Sequence, residues 1–153
     1  MMIKRMAAPL LLIAALAGIA GDGYAQSMDA SAILQFQRAA DSYAFAQRQD
    51  ERRGASAVLR AEGELFTPIV GAAFRARIRA ASVECNTPGR GEGSFVVPSV
   101  NTSAAGTEVL PACLAAVLPH LPSELEYRGA GMALILIDAH RNLVVDVLHA
   151  AFP

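Results

Sequence analysis

The sequence predicts an α+β domain, with N-terminal helices packed on a small C-terminal antiparallel sheet or hairpin. Three observations predict it. Two short apolar runs, Met132 to Ile137 and Leu143 to Leu148, flank the polar connection Asp138-Ala139-His140-Arg141-Asn142, the pattern of a β-hairpin. Upstream, apolar residues recur at spacings of three and four, the helical period. Between the two regions sit Leu118-Pro119 and Leu121-Pro122, which stop a helix and lead into extended chain.

The chain opens with a leader-like segment. Lys4 and Arg5 precede an uncharged apolar run from Ala7 to Ala20, and Gly23-Tyr24-Ala25 follows with small residues two apart. This three-part pattern is that of a secretory signal cleaved after Ala25. The apolar run is shorter than the roughly 20 residues that a membrane span needs. Residues 1–25 are therefore expected to be a signal peptide. Residues 26–153 are long enough for one core and too short for two, so they should form a single α+β domain.

In the mature part, Asp29 can cap a helix starting at Ala30. Ile33, Phe36, Ala40, Tyr43 and Ala44 share one face of it, with Gln35, Arg38, Asp41, Gln47 and Arg48 largely opposite. A charged turn at Asp50 to Gly54 leads to a weaker helix from about Ala55 to Leu65. Thr67-Pro68 pairs a capping hydroxyl with proline at the first helical position and starts a third helix. Its buried stripe should be Ile69, Val70, Ala73, Phe74 and Ile78, with fraying near Ser82 to Glu84.

Gly89 to Thr107 reads as loop, interrupted by a possible edge strand at Phe95-Val96-Val97. Pro111 to Leu118 suits a short helix that buries Leu114 and Leu118. Glu124 to Arg128 begins a strand in which Leu125 and Tyr127 face one way and Glu126 and Arg128 the other. A type I turn over Ala139 to Asn142 should close the hairpin. Asn142 is the residue best suited to positive φ there. The core is expected to combine Phe36, Tyr43, Phe74 and Ile78 with Leu125, Leu136 and Val145.

Cys85 and Cys113 are the only cysteines. An even count in an exported chain favours a disulfide. The 27 residues between them exclude a CxxC redox pair, and two thiols alone do not complete a zinc site. Lys4 is the only lysine. After the leader, eleven arginines stand against thirteen carboxylates, a formal balance of −2. Such a chain is a poor polyanion binder, so no nucleic-acid partner is expected. No membrane span is expected after cleavage either.

The block LPHLPSELEYR, Gly131, LILID and NLVVDVL resembles a group of small exported bacterial proteins of uncharacterised function, as does LFTPIVGAAFR from Leu65 to Arg75. The C-terminal block is more distantly similar to the periplasmic nickel/cobalt-homeostasis regulator family, whose members end in a comparable small β-module. The chain departs from that pattern at Gly129-Ala130 and Met132-Ala133. The resemblance implies fold and compartment. It carries over no catalytic or ligand residue.

Asp138, His140, Asp146 and His149 are the residues with ligand or acid–base potential. Asp138 and His140 flank the turn and are the candidate metal ligands. His149 lies a strand length away, roughly 20 Å, beyond the reach of one ion. The plainer reading of Asp138 is a strand terminator that accepts turn amide bonds. Asp146 interrupts an apolar strand and needs a partner if buried, for which Arg128 is the natural choice. Arg75 and Arg79 share a helix face while Arg77 points away, which suggests a solvated surface. Glycines 89, 91 and 93 imitate a phosphate loop but lack the preceding strand and the GK[ST] ending. No serine sits in a GxSxG turn. No catalytic residue and no cofactor is expected.

Three functions fit these features. The first is an exported, non-enzymatic accessory or binding protein whose partner is another protein or a small ligand. The second is a metal-responsive periplasmic protein, and the third a small secreted hydrolase.

Overall fold

The computed structural model describes residues 20–54, 65–85 and 96–153, with side chains from Asp29 onward. The expected leader lies outside the described residues up to Ala20, the weak helix up to Leu65, and the Pro88–Ser94 loop entirely. In order come α1 (Ala20–Arg52), α2 (Pro68–Glu84), β1 (Glu108–Val109), α3 (Ala112–Val117), β2 (Leu125–Ala130), β3 (Ala133–Asp138) and β4 (Leu143–Leu148). The expected class is observed: N-terminal helices and a four-stranded antiparallel sheet, ordered β1-β2-β3-β4.

α1 is longer than the sequence suggests. Nothing from Ala20 to Met28 breaks a helix with proline, and the helix runs straight through Asp29. Asp29 is therefore not a cap. Its Oδ2 accepts from Arg77 Nη2 at 2.8 Å and Nε at 3.2 Å, which ties α1 to α2. α1 ends at Arg52, and Gly54 just past it has a φ of +63°, which suits glycine beyond a helix terminus.

α2 starts as expected. Thr67 Oγ1 accepts the Val70 amide at 3.4 Å, and Pro68 occupies the first turn. Its buried face holds Val70, Ala73, Phe74, Ile78 and Ala81. Ile69 is 57% exposed, because it sits roughly 100° round from Val70 on the outer side. Gly71 is buried because β4 approaches closely: a Cβ there would lie 2.9 Å from Leu148 Cδ1. The helix holds to Glu84, and Cys85 is disulfide-bonded to Cys113 with a Cα separation of 6.0 Å. The bond joins the end of α2 to the first turn of α3.

The core lies between the helices and one face of the sheet. Phe36, Phe74, Ile78, Leu134, Leu136 and Val145 are fully buried in it, with Leu125 and Tyr127 nearly so and Tyr43 packed at its margin. Phe74 meets Phe36 edge-on at 4.8 Å and Phe66 at 5.2 Å, the favoured geometry for aromatic pairs. The second face carries Ala130, Ile135, Ile137 and Val144. The chain approaching β1 covers it, with Ala104 buried there and Val97 packed against it. Asn101 N–H donates to Val144 O, Val144 N–H to Thr102 O, and Ala104 N–H to Asn142 O, at 2.8–2.9 Å. These bonds close the first half of the β4 edge. β3 is thus buried on both faces.

The edge strand is not at Val96-Val97, which carry no ladder; Phe95 lies outside the described residues. Val97 packs on the sheet face instead, and Pro98 beside it has no amide to donate. β1 takes that edge, with Glu108 opposite Gly129 and Val109 opposite Arg128. The β2–β3 turn uses Gly131 at φ +54°, as a two-residue hairpin with glycine first demands. The β3–β4 turn spans Ala139 to Asn142, and Asn142 is left-handed at φ +52°.

β4 departs from simple alternation. Asp146 pairs with Leu136 and Val144 with Ile137, so Val145 is an extra, bulged residue. Val145 and Asp146 consequently both belong to the helix-covered side, while Val144 and Val147 pack on the other. Among the described residues, no helix is long and apolar enough to cross a membrane.

Candidate functional site

The polar residues singled out in the sequence fall at three separate places. The first is the tip of the β3–β4 hairpin against the C-terminal half of α1. Asp138 ends β3 and is fully buried. Its Oδ1 accepts the amides of His140 at 3.0 Å and Arg141 at 2.9 Å, so it organises the turn. Tyr43 of α1 donates its hydroxyl to Asp138 Oδ2 at 3.5 Å, a long bond. Burial, and then the Asp138 charge, push the Tyr43 phenol up to about 12, with Arg141 opposing. Tyr43 therefore stays neutral and acts as a donor.

Beside this pair, Arg48 Nη1 meets Glu124 Oε1 at 2.6 Å, and Ser123 Oγ donates to Glu124 Oε2 at 3.3 Å. The Arg48 hydrogen bond is the main reason that the Glu124 carboxyl lies below its ordinary range, and burial opposes it. The Ala139 amide donates to Glu124 O at 2.8 Å. α1, the start of β2 and the hairpin turn are thus linked at one end of the sheet. His140 points outward, with Nδ1 3.7 Å from Glu51 Oε1 and both side chains about half exposed.

Gln47 was expected on the solvent side of α1. It is fully buried, because it lies one turn beyond Tyr43 on the core face. Neither end of its amide has a hydrogen-bond partner, which makes it the least satisfied buried side chain described.

The second place is β4. Asp146 Oδ2 accepts the Phe66 amide at 2.7 Å, and Oδ1 accepts its own neighbour Val147 at 2.8 Å. It does not pair with Arg128, because the two lie on opposite faces of the sheet. Asp146 faces the helices with Leu136, whereas Arg128 lies opposite Ile135 and pairs with Glu126 at 2.8 Å. The third place is the far end of β4, where Arg75 donates to His149 O at 2.9 Å from Nη2. With Arg77 bound to Asp29, two of the three α2 arginines are engaged rather than freely solvated.

Asp138 and His140 are neighbours without forming a ligand pair: Asp138 spends Oδ1 on amides, and His140 faces Glu51. Among the described residues, no three His, Cys, Asp or Glu side chains group in a way that could hold a metal ion. A groove of about 610 Å³ runs along the outside of α1 and α2. It is lined mainly by apolar groups, including Ala32, Ile69, Ala72, Ala76 and Ala80, with the Asp29–Arg77 pair at its wall. A smaller cleft of about 280 Å³ lies by Leu110, Leu118 and His120.

The long-range partners were not visible in the sequence. Tyr43 reads there as core and Arg48 as solvent-facing, and nothing local announces that they meet residues 95 and 76 positions away. No protein-family model, no curated protein and no solved structure matches the chain.

Proposed function

We propose that this chain is an exported, non-enzymatic accessory protein of the periplasm or extracellular space, acting by binding a protein or small ligand. The Cys85–Cys113 bond carries this reading, because such bonds persist in oxidising compartments and are rare in reducing ones. The Lys4-Arg5 leader ending at Ala25 and the resemblance to small exported bacterial proteins point the same way. A binding role rather than a catalytic one is supported by how the acidic groups are used. Asp138 holds a turn, Asp146 holds the entry to α2, and Glu124 holds Arg48. A general acid or base needs a group left available to a substrate proton.

Two measurements test this. N-terminal sequencing of the exported protein should begin at or near Gln26, and recovery of Met1 on a cytoplasmic product defeats the export claim. Capture of partners from a periplasmic extract should yield a specific binder. Calorimetric titration with nickel, cobalt, copper and zinc addresses the metal-responsive alternative, and tight binding abolished by His140→Ala would replace the accessory reading.

A further inference from the structure

We propose that the outward face of α1 is a self-association surface, occupied by α1 of a second copy of this chain lying antiparallel across a two-fold axis. At 100° per residue, the core face of α1 carries Phe36, Ala40, Tyr43, Ala44 and Gln47. The diametrically opposite stripe carries Leu34, Arg38, Asp41 and Phe45. Leu34 is 49% exposed and Phe45 57%, two large apolar groups aimed at solvent from a helix that is otherwise polar on that side. Arg38 and Asp41 between them are exposed, and neither forms an ion pair with a described residue.

The order of these four residues is its own complement. Leu34 precedes Arg38 by four, and Asp41 precedes Phe45 by four. Laid antiparallel on a second copy, Leu34 meets the partner's Phe45 and Arg38 meets the partner's Asp41, each twice by symmetry. That is the isologous contact a two-fold dimer requires. A parallel arrangement would set Arg38 on its own copy and repel. Leu34 and Phe45 are separated by about 16 Å of helix, so a crossing near 20° keeps both apolar contacts. The other exposed apolar stripe, on α2 from Ile69 through Ala76 to Val83, fails the same test. An antiparallel pair centred on Ala76 would place Arg75 against the partner's Arg77, like charge on like charge. One pair of helices is a small interface, at the low end of specific ones, below about 1,200 Å². The dimer is accordingly reversible and concentration-dependent.

Sedimentation velocity on the purified exported protein, over a hundredfold range of concentration, tests this. The wild type should shift from monomer to dimer, and Phe45→Glu should remain monomeric throughout. Arg38→Asp and Asp41→Arg should each weaken association at least tenfold, and the double exchange should recover most of it by rebuilding the pair in reverse. Val83→Glu should dimerise as the wild type does. All four substituted positions are exposed, and matching circular dichroism spectra will establish that the variants are folded. A wild type that stays monomeric overturns the proposal. So does a dimer that survives Phe45→Glu, a double exchange no better than the single ones, or loss of the dimer in Val83→Glu alone.

Discussion

Asp146 Oδ2 accepts the backbone amide of Phe66 at 2.7 Å, which fastens the middle of β4 to the chain just ahead of α2. The carboxylate is 4% exposed, so the bond is shielded from water. Losing it leaves a donor without a partner in the interior. Asp146→Ala should therefore cost about 1–3 kcal/mol in urea unfolding, and Asp146→Asn less, since its amide oxygen still accepts. Arg128→Ala should leave the Asp146 contribution untouched. A double-mutant cycle showing coupling between Asp146 and Arg128 would contradict the opposite-face placement.

Phe74 is fully buried between Phe36, Phe66 and Tyr127. Phe74→Ala should destabilise by about 3–5 kcal/mol, the usual range for removing a core aromatic. An effect below about 1 kcal/mol would show that the helices do not press on the sheet through this residue.

Asn142 closes the hairpin at φ +52°. Asn142→Gly should be neutral or mildly stabilising, while Asn142→Val should cost about 1–3 kcal/mol, because a β-branched residue resists the left-handed region. Equal stability of the two variants argues against that backbone conformation in solution.

Tyr43 links stability to alkaline pH. Its phenol is raised from 10.0 to about 12 in the folded protein, so folding favours the protonated form. The associated stability is complete below pH 10 and disappears as pH rises through about 12. Tyr43→Phe has no proton to lose, and its stability should fall less steeply across that window. Parallel denaturation curves for the two proteins between those pH values would exclude the linkage.

The disulfide closes a long loop, and its loss should cost about 2–5 kcal/mol. Reduction, or Cys85→Ser with Cys113→Ser, should lower the denaturant midpoint while hydrogen exchange in β3 and β4 stays protected. Loss of protection across the whole sheet would mean that the bond is required for the fold itself.

Local chemistry made several elements legible in the sequence. Thr67-Pro68 specifies a helix start from its own side chains, and the apolar period of Leu143 to Leu148 specifies a strand bounded by turn residues. Asn142 was readable because few residues tolerate its backbone. The pairing of Cys85 with Cys113 needed only their number. What escaped was set by distant contacts. The bulge at Val145 breaks the simple alternation along β4 and puts Asp146 on the same side as Val145, and a single extra residue leaves no mark in composition. Asp29 looks like a cap until Arg77 is found opposite it. β1 is two residues long, too short to show a period. Of the polar groups, the role of Asp138 at its own turn was foreseeable. The contact of Tyr43 with it depends on how a helix docks 95 residues earlier in the chain.

The bond between Cys85 and Cys113 makes the chain between them a covalent ring, and the strap over the second sheet face is part of that ring. A protease that cuts once anywhere inside it releases nothing. The helical half and the strand half stay tethered, and the nicked product keeps its size until a reductant is added. A single cut there is then a scar rather than an amputation.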